Sequence, residues 1–124
     1  MLTLDTAETK ARAWCNAWNR RDIEAVLDHY AERVALCSPL VQRRLGRPDG
    51  WLRGKDELRA YFARGMANPL LRFDYQGVRI GVAAMTVLYA RESGIEVADT
   101  MELDAEGRAV RVIACYLEGE AHVR

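Results

Sequence analysis

The sequence predicts an α+β fold in which a strongly bent antiparallel sheet packs on three N-terminal helices as a cone-shaped half-barrel. Three observations carry this reading. Helical periodicity is confined to roughly the first half of the chain. Strand-like alternation then runs without interruption to the end, an order that favours an antiparallel sheet over βαβ units. At Gly77 the inward parity changes, the mark of a bulge that bends a sheet.

The elements follow in order α-α-β-α-β-β-β-β. Asp5 and Glu8 suggest a capping box. The helix after them runs to about Arg20 and presents Ala7, Ala11, Trp14 and Trp18 at helical spacing. Only "NRR" separates it from a short helix starting near Asp22, with Ile23, Val26, Leu27 and Tyr30 on its apolar face, so a helical hairpin is expected. "RVALCS" reads as a strand ended by Pro39. Residues 40–53, rich in Arg, Gly and Pro, read as a long loop with a short strand near Trp51. "GKDEL" opens a third helix with acidic residues in its first turn. Its stripe is Leu58, Tyr61, Phe62 and Met66, and Asn68-Pro69 stops it.

Then come strands only. "LRFDYQ" alternates Leu71, Phe73 and Tyr75 inward; beyond Gly77 the inward set is Val78, Ile80 and Val82. "MTVLYARE" precedes a turn at Ser93-Gly94. The next strand, "IEVADTMEL", places Ile95, Val97, Asp99, Met101 and Leu103 on one face, so a carboxylate sits in the middle of an apolar stripe. "DAEGR" turns into the last strand, "AVRVIACYLEG", where Tyr116 shares parity with Val110, Val112 and Ala114. A bent sheet over three helices encloses a cone with an apolar interior, a common form of small-ligand site.

Composition narrows the function. The chain has 124 residues, of which 50% are hydrophobic and 29% charged, ordinary for one globular domain able to bury a core. Eighteen basic residues balance eighteen acidic ones, which argues against a nucleic-acid or anionic-membrane partner. Cys15, Cys37 and Cys115 lie far apart with no paired Cys/His spacing, so neither zinc nor a disulfide framework is expected, and buried free thiols are the default. The first residues carry no basic-then-apolar signal pattern, and no apolar run is of membrane-spanning length, so a cytoplasmic location is expected.

Three stretches, "AWNRRDIEAVLDHYAERVALCSP", "LRGKDELRAYFARGM" and "ADTMELDAEGRAVRVIACY", together with the element order, resemble the nuclear transport factor 2-like superfamily. Ketosteroid isomerases, SnoaL-like polyketide cyclases and limonene epoxide hydrolases share that cone. The resemblance spans nearly the whole chain and implies a single SnoaL-like domain over 1–124. Within it, the ketosteroid isomerases offer the sharpest comparison. They use a tyrosine on the first helix, an aspartate base at the end of the first strand, and a second aspartate on a late strand before a "DxxGR" turn. Asp99 matches the last, and the resemblance implies a carboxylic acid kept neutral by an apolar site, a mechanism borrowed from that enzyme. The tyrosine position holds Trp14 and the base position holds Ser38, so steroid isomerase chemistry is not expected. The resemblance also implies a homodimer through the outer sheet face, where Ile113 and Cys115 would need cover.

Asp99 is thus the candidate catalytic residue, donating or accepting a proton. Trp14, Ser38, Tyr61 and Tyr116 are candidate ligand-binding residues, with Tyr89 and the loop arginines carrying weaker claims. Each also has a plain structural reading: Trp14 as core, Ser38 as a strand-end turn residue, Tyr116 as the end of the core. His29 falls out of phase with its helix stripe and is expected on a solvated face. Neither it nor His122 pairs with a nucleophile. Two functional readings stay open. One is a cofactor-independent acid–base isomerase, cyclase or hydratase acting on a small apolar or cyclic molecule. The other is a ligand-binding or interaction module that kept the cone and lost the base. A wide cavity with Asp99 at its floor favours the first; a cavity plugged by Trp14, Trp18 and Met101 favours the second.

Overall fold

The computed structural model describes residues 1–117. Helices α1 (Leu4–Asn19) and α2 (Ile23–Leu27) precede strand β1 (Tyr30–Cys37). Helix α3 (Pro39–Leu45), strand β2 (Trp51–Arg53) and helix α4 (Lys55–Met66) follow. Strands β3 (Phe73–Ile80), β4 (Ala84–Arg91), β5 (Glu96–Leu103) and β6 (Ala109–Tyr116) complete the chain. The six strands form one sheet in the order β2-β1-β6-β5-β4-β3. All pairings are antiparallel except β1 with β6, which run parallel because α3, β2 and α4 carry the chain back across the sheet.

The α+β class and the bent sheet are as the sequence predicts; several details differ. The expected loop 40–53 contains α3. Ser38 caps it, accepting from the Leu40 amide at 3.2 Å, and Pro39 occupies the first turn, where a missing N–H costs nothing. The short strand near Trp51 is β2. Gly50 between them has φ +73°, and a Cβ there would lie 3.0 Å from the Ser38 carbonyl oxygen, so the turn admits only glycine. The cap of α1 is Thr3, whose hydroxyl accepts from the Thr6 amide, in place of Asp5. Tyr30 opens β1 instead of extending α2.

The register shifts at three places, once between Tyr30 and Ala35 in the β1–β6 pair and twice in the antiparallel ladders. Tyr75 pairs with Tyr89 and Gly77 with Leu88, leaving Gln76 over, which is the parity change seen at Gly77. Of the inward set expected beyond it, Val78 is buried while Ile80 and Val82 are exposed at the hairpin tip. On β6 the pairing skips Val110: Glu102 faces Arg111 and Leu103 faces Ala109. Val110 therefore points to solvent and Ala109 is buried, reversing the expected parity at the start of this strand.

The α1 stripe packs as the periodicity predicts, with Ala7, Ala11, Trp14 and Trp18 all buried. Arg21, in the left-handed region at φ 57°, makes the tight α1–α2 turn. Its guanidinium donates to the carbonyls of Asn68, Pro69 and Leu71, pinning the segment after α4. The Asn19 amide bonds both the N–H and the C=O of Phe73 at 2.8 Å, fixing α1 to the edge strand. Cys15 is buried, but Cys37 is only half-buried and Cys115 is exposed, contrary to the expectation of three buried thiols. No helix among the described residues is long and apolar enough to cross a membrane.

Candidate functional site

The concave face of the sheet and helices α1 and α4 enclose a cavity of free volume ≈ 60 Å³, room for a few waters. Its walls are aromatic. Phe73 stacks on Trp18 and on Tyr89 with ring centroids 4.8 and 4.6 Å apart, and Trp14 meets Phe73 and Tyr89 at 5.3 Å. Such contacts add rigidity beyond area burial.

Asp99 lines this cavity and is 5% exposed. The position follows from strand parity: Val97, Asp99 and Met101 all turn inward from β5 and are buried. Its one hydrogen bond among the described residues comes from the Tyr89 hydroxyl to Oδ1, long at 3.4 Å. Burial pushes its pKa up to about 7, against smaller lowering effects of the Tyr89 hydroxyl and the Arg91 guanidinium. A buried carboxylate with so little compensation does not hold its charge firmly at neutral pH.

The other sequence-predicted residues gather here too. Trp14 lines the cavity, but its indole N–H donates to the Tyr30 hydroxyl at 2.9 Å, leaving only its ring face for a ligand. Ser38 is 6% exposed, both caps α3 and lines the cavity, and its hydroxyl faces the Tyr116 phenol. Tyr116 and Tyr61 line the wall and are half-buried. Burial and Asp99 push the Tyr116 phenol up to about 12. The Tyr61 hydroxyl is buried without a hydrogen-bond partner, with the Arg44 guanidinium beside it. Met101 lies elsewhere, in a smaller void with Lys10, His29 and Met85. His29 is half-buried there, not on a solvated face, and burial lowers its pKa. His122 lies outside the described residues.

Two cavity residues, Tyr30 and Arg91, escape the sequence reading as site residues, and a third, Arg44, enters it only as one of the loop arginines. Tyr30, fully buried, holds the Trp14 N–H. Arg91 and Arg44 stand at the cavity's edge. The signal for Arg91 was present: Met85, Val87, Tyr89 and Arg91 alternate inward on β4, another charge on an apolar face. Arg44 has only the weaker signal of an arginine-rich stretch, because a composition rich in Arg and Gly reads as a loop where α3 forms.

Among the described residues lining the cavity, Asp99 is the only carboxylate. Among the described residues, no group of three or more His, Cys, Asp or Glu side chains is placed to hold a metal ion. The arrangement can therefore exchange one proton at Asp99 in a largely water-poor, aromatic enclosure, with phenols and a guanidinium able to donate hydrogen bonds to a ligand oxygen.

Comparison with known proteins places the chain. No curated protein matches its sequence. In structure it is similar to a SnoaL-like protein of unknown function from Burkholderia thailandensis E264, at 30% identity and a TM-score of 0.90, covering 94% of this chain and 98% of that one. A nuclear transport factor 2-like protein of unknown function from Cytophaga hutchinsonii ATCC 33406 aligns at 10% identity and TM-score 0.71, over 99% and 96% of the two chains. The epoxide hydrolase/cyclase-like enzyme SalBIII, with a role in pyran ring formation in the polyether salinomycin, aligns at 14% identity and TM-score 0.72, over 90% and 91%. The last two likenesses show the fold alone. The sequence model of the SnoaL-like domain matches residues 11–116, and with that match the chain belongs to the SnoaL-like family.

Proposed function

We propose that the protein is a small-molecule pocket protein in which Asp99 exchanges a proton with the ligand, in a cofactor-independent isomerisation, cyclisation or hydration. The observation that carries this reading is Asp99 itself: buried at the cavity wall, held by one long hydrogen bond, with a pKa near 7. A group poised at neutral pH works as acid and base with comparable driving force. With no second carboxylate in the lining, one group takes a proton from the ligand and returns it elsewhere. A single carboxylate suits such proton transfer within one ligand, as in an isomerisation or cyclisation; in a hydration the same carboxylate would have to activate the water. The likeness of the fold to SalBIII is consistent with ring chemistry.

The experiment is a carbon-13 NMR titration of the Asp99 carboxyl, assigned with Asp99→Asn, followed by proton-exchange assays on cyclic ketones, epoxides and lactones. Titration near pH 7 and exchange lost in Asp99→Asn support the reading. A carboxyl titrating at or below the ordinary ~4 ends it.

The narrow cavity favours a second reading, a non-catalytic ligand-binding or interaction module, since ≈ 60 Å³ is small for turnover of a ring-sized molecule without opening. Under either reading a second copy of the chain covers the outer sheet face, where Ile113, Cys115 and Trp51 lie; sedimentation analysis reads out a dimer or a monomer directly.

A further inference from the structure

We infer that the mouth of the cavity is a carboxylate subsite, and that the ligand is a small cyclic acid instead of a wholly apolar molecule. This rests on the ligand-pocket reading above and names its substrate class.

Outside the aromatic cavity lies a second, wider pocket of ≈ 240 Å³ between α3 and the β4–β5 turn. The two share a rim of four residues, Leu40, Arg44, Arg91 and Tyr116. A ligand that spans the two pockets lies against that rim. The outer pocket is lined by Arg43, Arg44 and Arg91 and, among the described residues, by one carboxylate, Glu92. Arg43 has a partner of its own, so the charge offered at the rim rests on Arg44 and Arg91.

Arg91 is built into this place. Its side chain is 11% exposed, and its guanidinium sits 5.1 Å from the centre of the Phe73 ring, a cation–π contact that restrains the side chain. Nε and one terminal nitrogen meet Glu92 at 3.2 and 3.4 Å, long contacts to a carboxylate that also accepts the Arg72 amide. The other terminal nitrogen, Nη1, has no acceptor among the described residues. Arg44, across the rim, makes no ion pair among the described residues and faces the unpartnered Tyr61 hydroxyl. Two guanidinium forks thus stand where the two pockets meet, with the Tyr61 phenol just inside, and Glu92 engages only one side of the Arg91 fork among the described residues. A planar monoanion satisfies such a set.

The spacing fits one molecule. Asp99 pairs with Val87 on β4, and Arg91 lies four residues along that strand, about 13 Å at ~3.3 Å per residue. Both residues line the inner cavity, and the Arg91 charge is felt at Asp99. A ring admitted against Trp14, Phe73 and Tyr89 as the narrow cavity opens then has one edge at Asp99 and a carboxylate arm at the rim.

The test is calorimetric titration with 3-oxocyclohexanecarboxylate and with its methyl ester. It is run at about pH 6, where the free acid is ionised and Asp99 is largely protonated. We expect the acid to bind about tenfold or more tightly than the ester, with the preference falling as salt is raised. Arg44→Gln and Arg91→Gln should each bring the two ligands towards equal affinity. Arg91→Lys, keeping the charge without the fork, should restore part of the preference; Arg44 is exposed, so its variant reports even if Arg91→Gln packs poorly. Equal binding of acid and ester to the wild type overturns the carboxylate subsite and leaves the pocket reading standing. Binding of neither overturns both.

Discussion

Asp99 and Glu102 sit three positions apart on β5 and face opposite sides of one sheet. Glu102, on the outer face, has a half-exposed side chain and accepts from Arg111 at 3.0 Å. Around it the surface satisfies itself: Thr86 and Thr100 share a 2.9 Å hydrogen bond across the β4–β5 pair, and Trp51 lies between Arg53 and Arg111 at 5.5 and 5.3 Å. Asp99, on the inner face, is buried with one contact at 3.4 Å. The same strand therefore carries one carboxylate in a place where charge is easily kept and another where it is costly. A fold shaped by stability alone has no use for the second. That contrast is the strongest argument that the inner face is shaped for a ligand and the outer face for packing or pairing.

The largest expected effect breaks the scaffold of the inner face. Trp14→Ala removes the ring that packs Phe73 and Tyr89 and leaves the Tyr30 hydroxyl without its donor. It should cost about 3–5 kcal/mol in urea unfolding, and a loss under ~1 kcal/mol would mean that the aromatic wall collapses freely and positions nothing.

Asp99→Asn comes next and acts through pH. The folded pKa of Asp99, about 7, stands above its ordinary 3.8, so between these values the native state keeps a proton that the unfolded chain has released. Its contribution to stability is full below the unfolded value and is lost as pH rises towards 7. The groups facing it, Tyr89, Tyr30, Tyr116 and Cys15, have pKa values raised by burial and by Asp99, so they stay neutral through this range, and Arg91 stays charged. Wild type should therefore lose on the order of 2 kcal/mol relative to Asp99→Asn between about pH 5 and pH 8. Parallel stability curves for the two proteins would erase the contrast between the faces.

The smallest effect sharpens it from the other side. Glu102→Gln removes an outer-face charge whose partner remains solvated, and should change stability by less than ~1 kcal/mol in urea unfolding. A larger loss would show that the outer pair is held in a dry environment, as it would be beneath a second copy.

Much of this contrast was legible in the chain. Period-two alternation put Asp99 among Val97 and Met101, and the same rule, applied to "MTVLYARE", puts Arg91 inward beside Tyr89. Helical spacing placed Trp14 and Trp18 together. Other features left no such trace. Ser38 reads as an ordinary end-of-strand residue until α3 is seen to start there, and α3 hides within an Arg- and Gly-rich stretch whose composition suggests a loop. Tyr30 fits either the end of α2 or the start of β1 by spacing; only the sheet decides, and it places the hydroxyl against the Trp14 indole. Val110 shows the limit of alternation, since one bulge reverses the faces for every residue on one side of it.

The sequence by itself determined the α+β class, the bend at Gly77 and the inward aspartate, because each follows from local periodicity and backbone preference. Only the tertiary structure decided how wide the cavity is, which donors ring its mouth, and that Trp14 spends its N–H on Tyr30. Those depend on where side chains from α1, α3, α4 and the sheet meet. Elements far apart in the chain converge through packing, and no periodicity within any one of them encodes the distance between them.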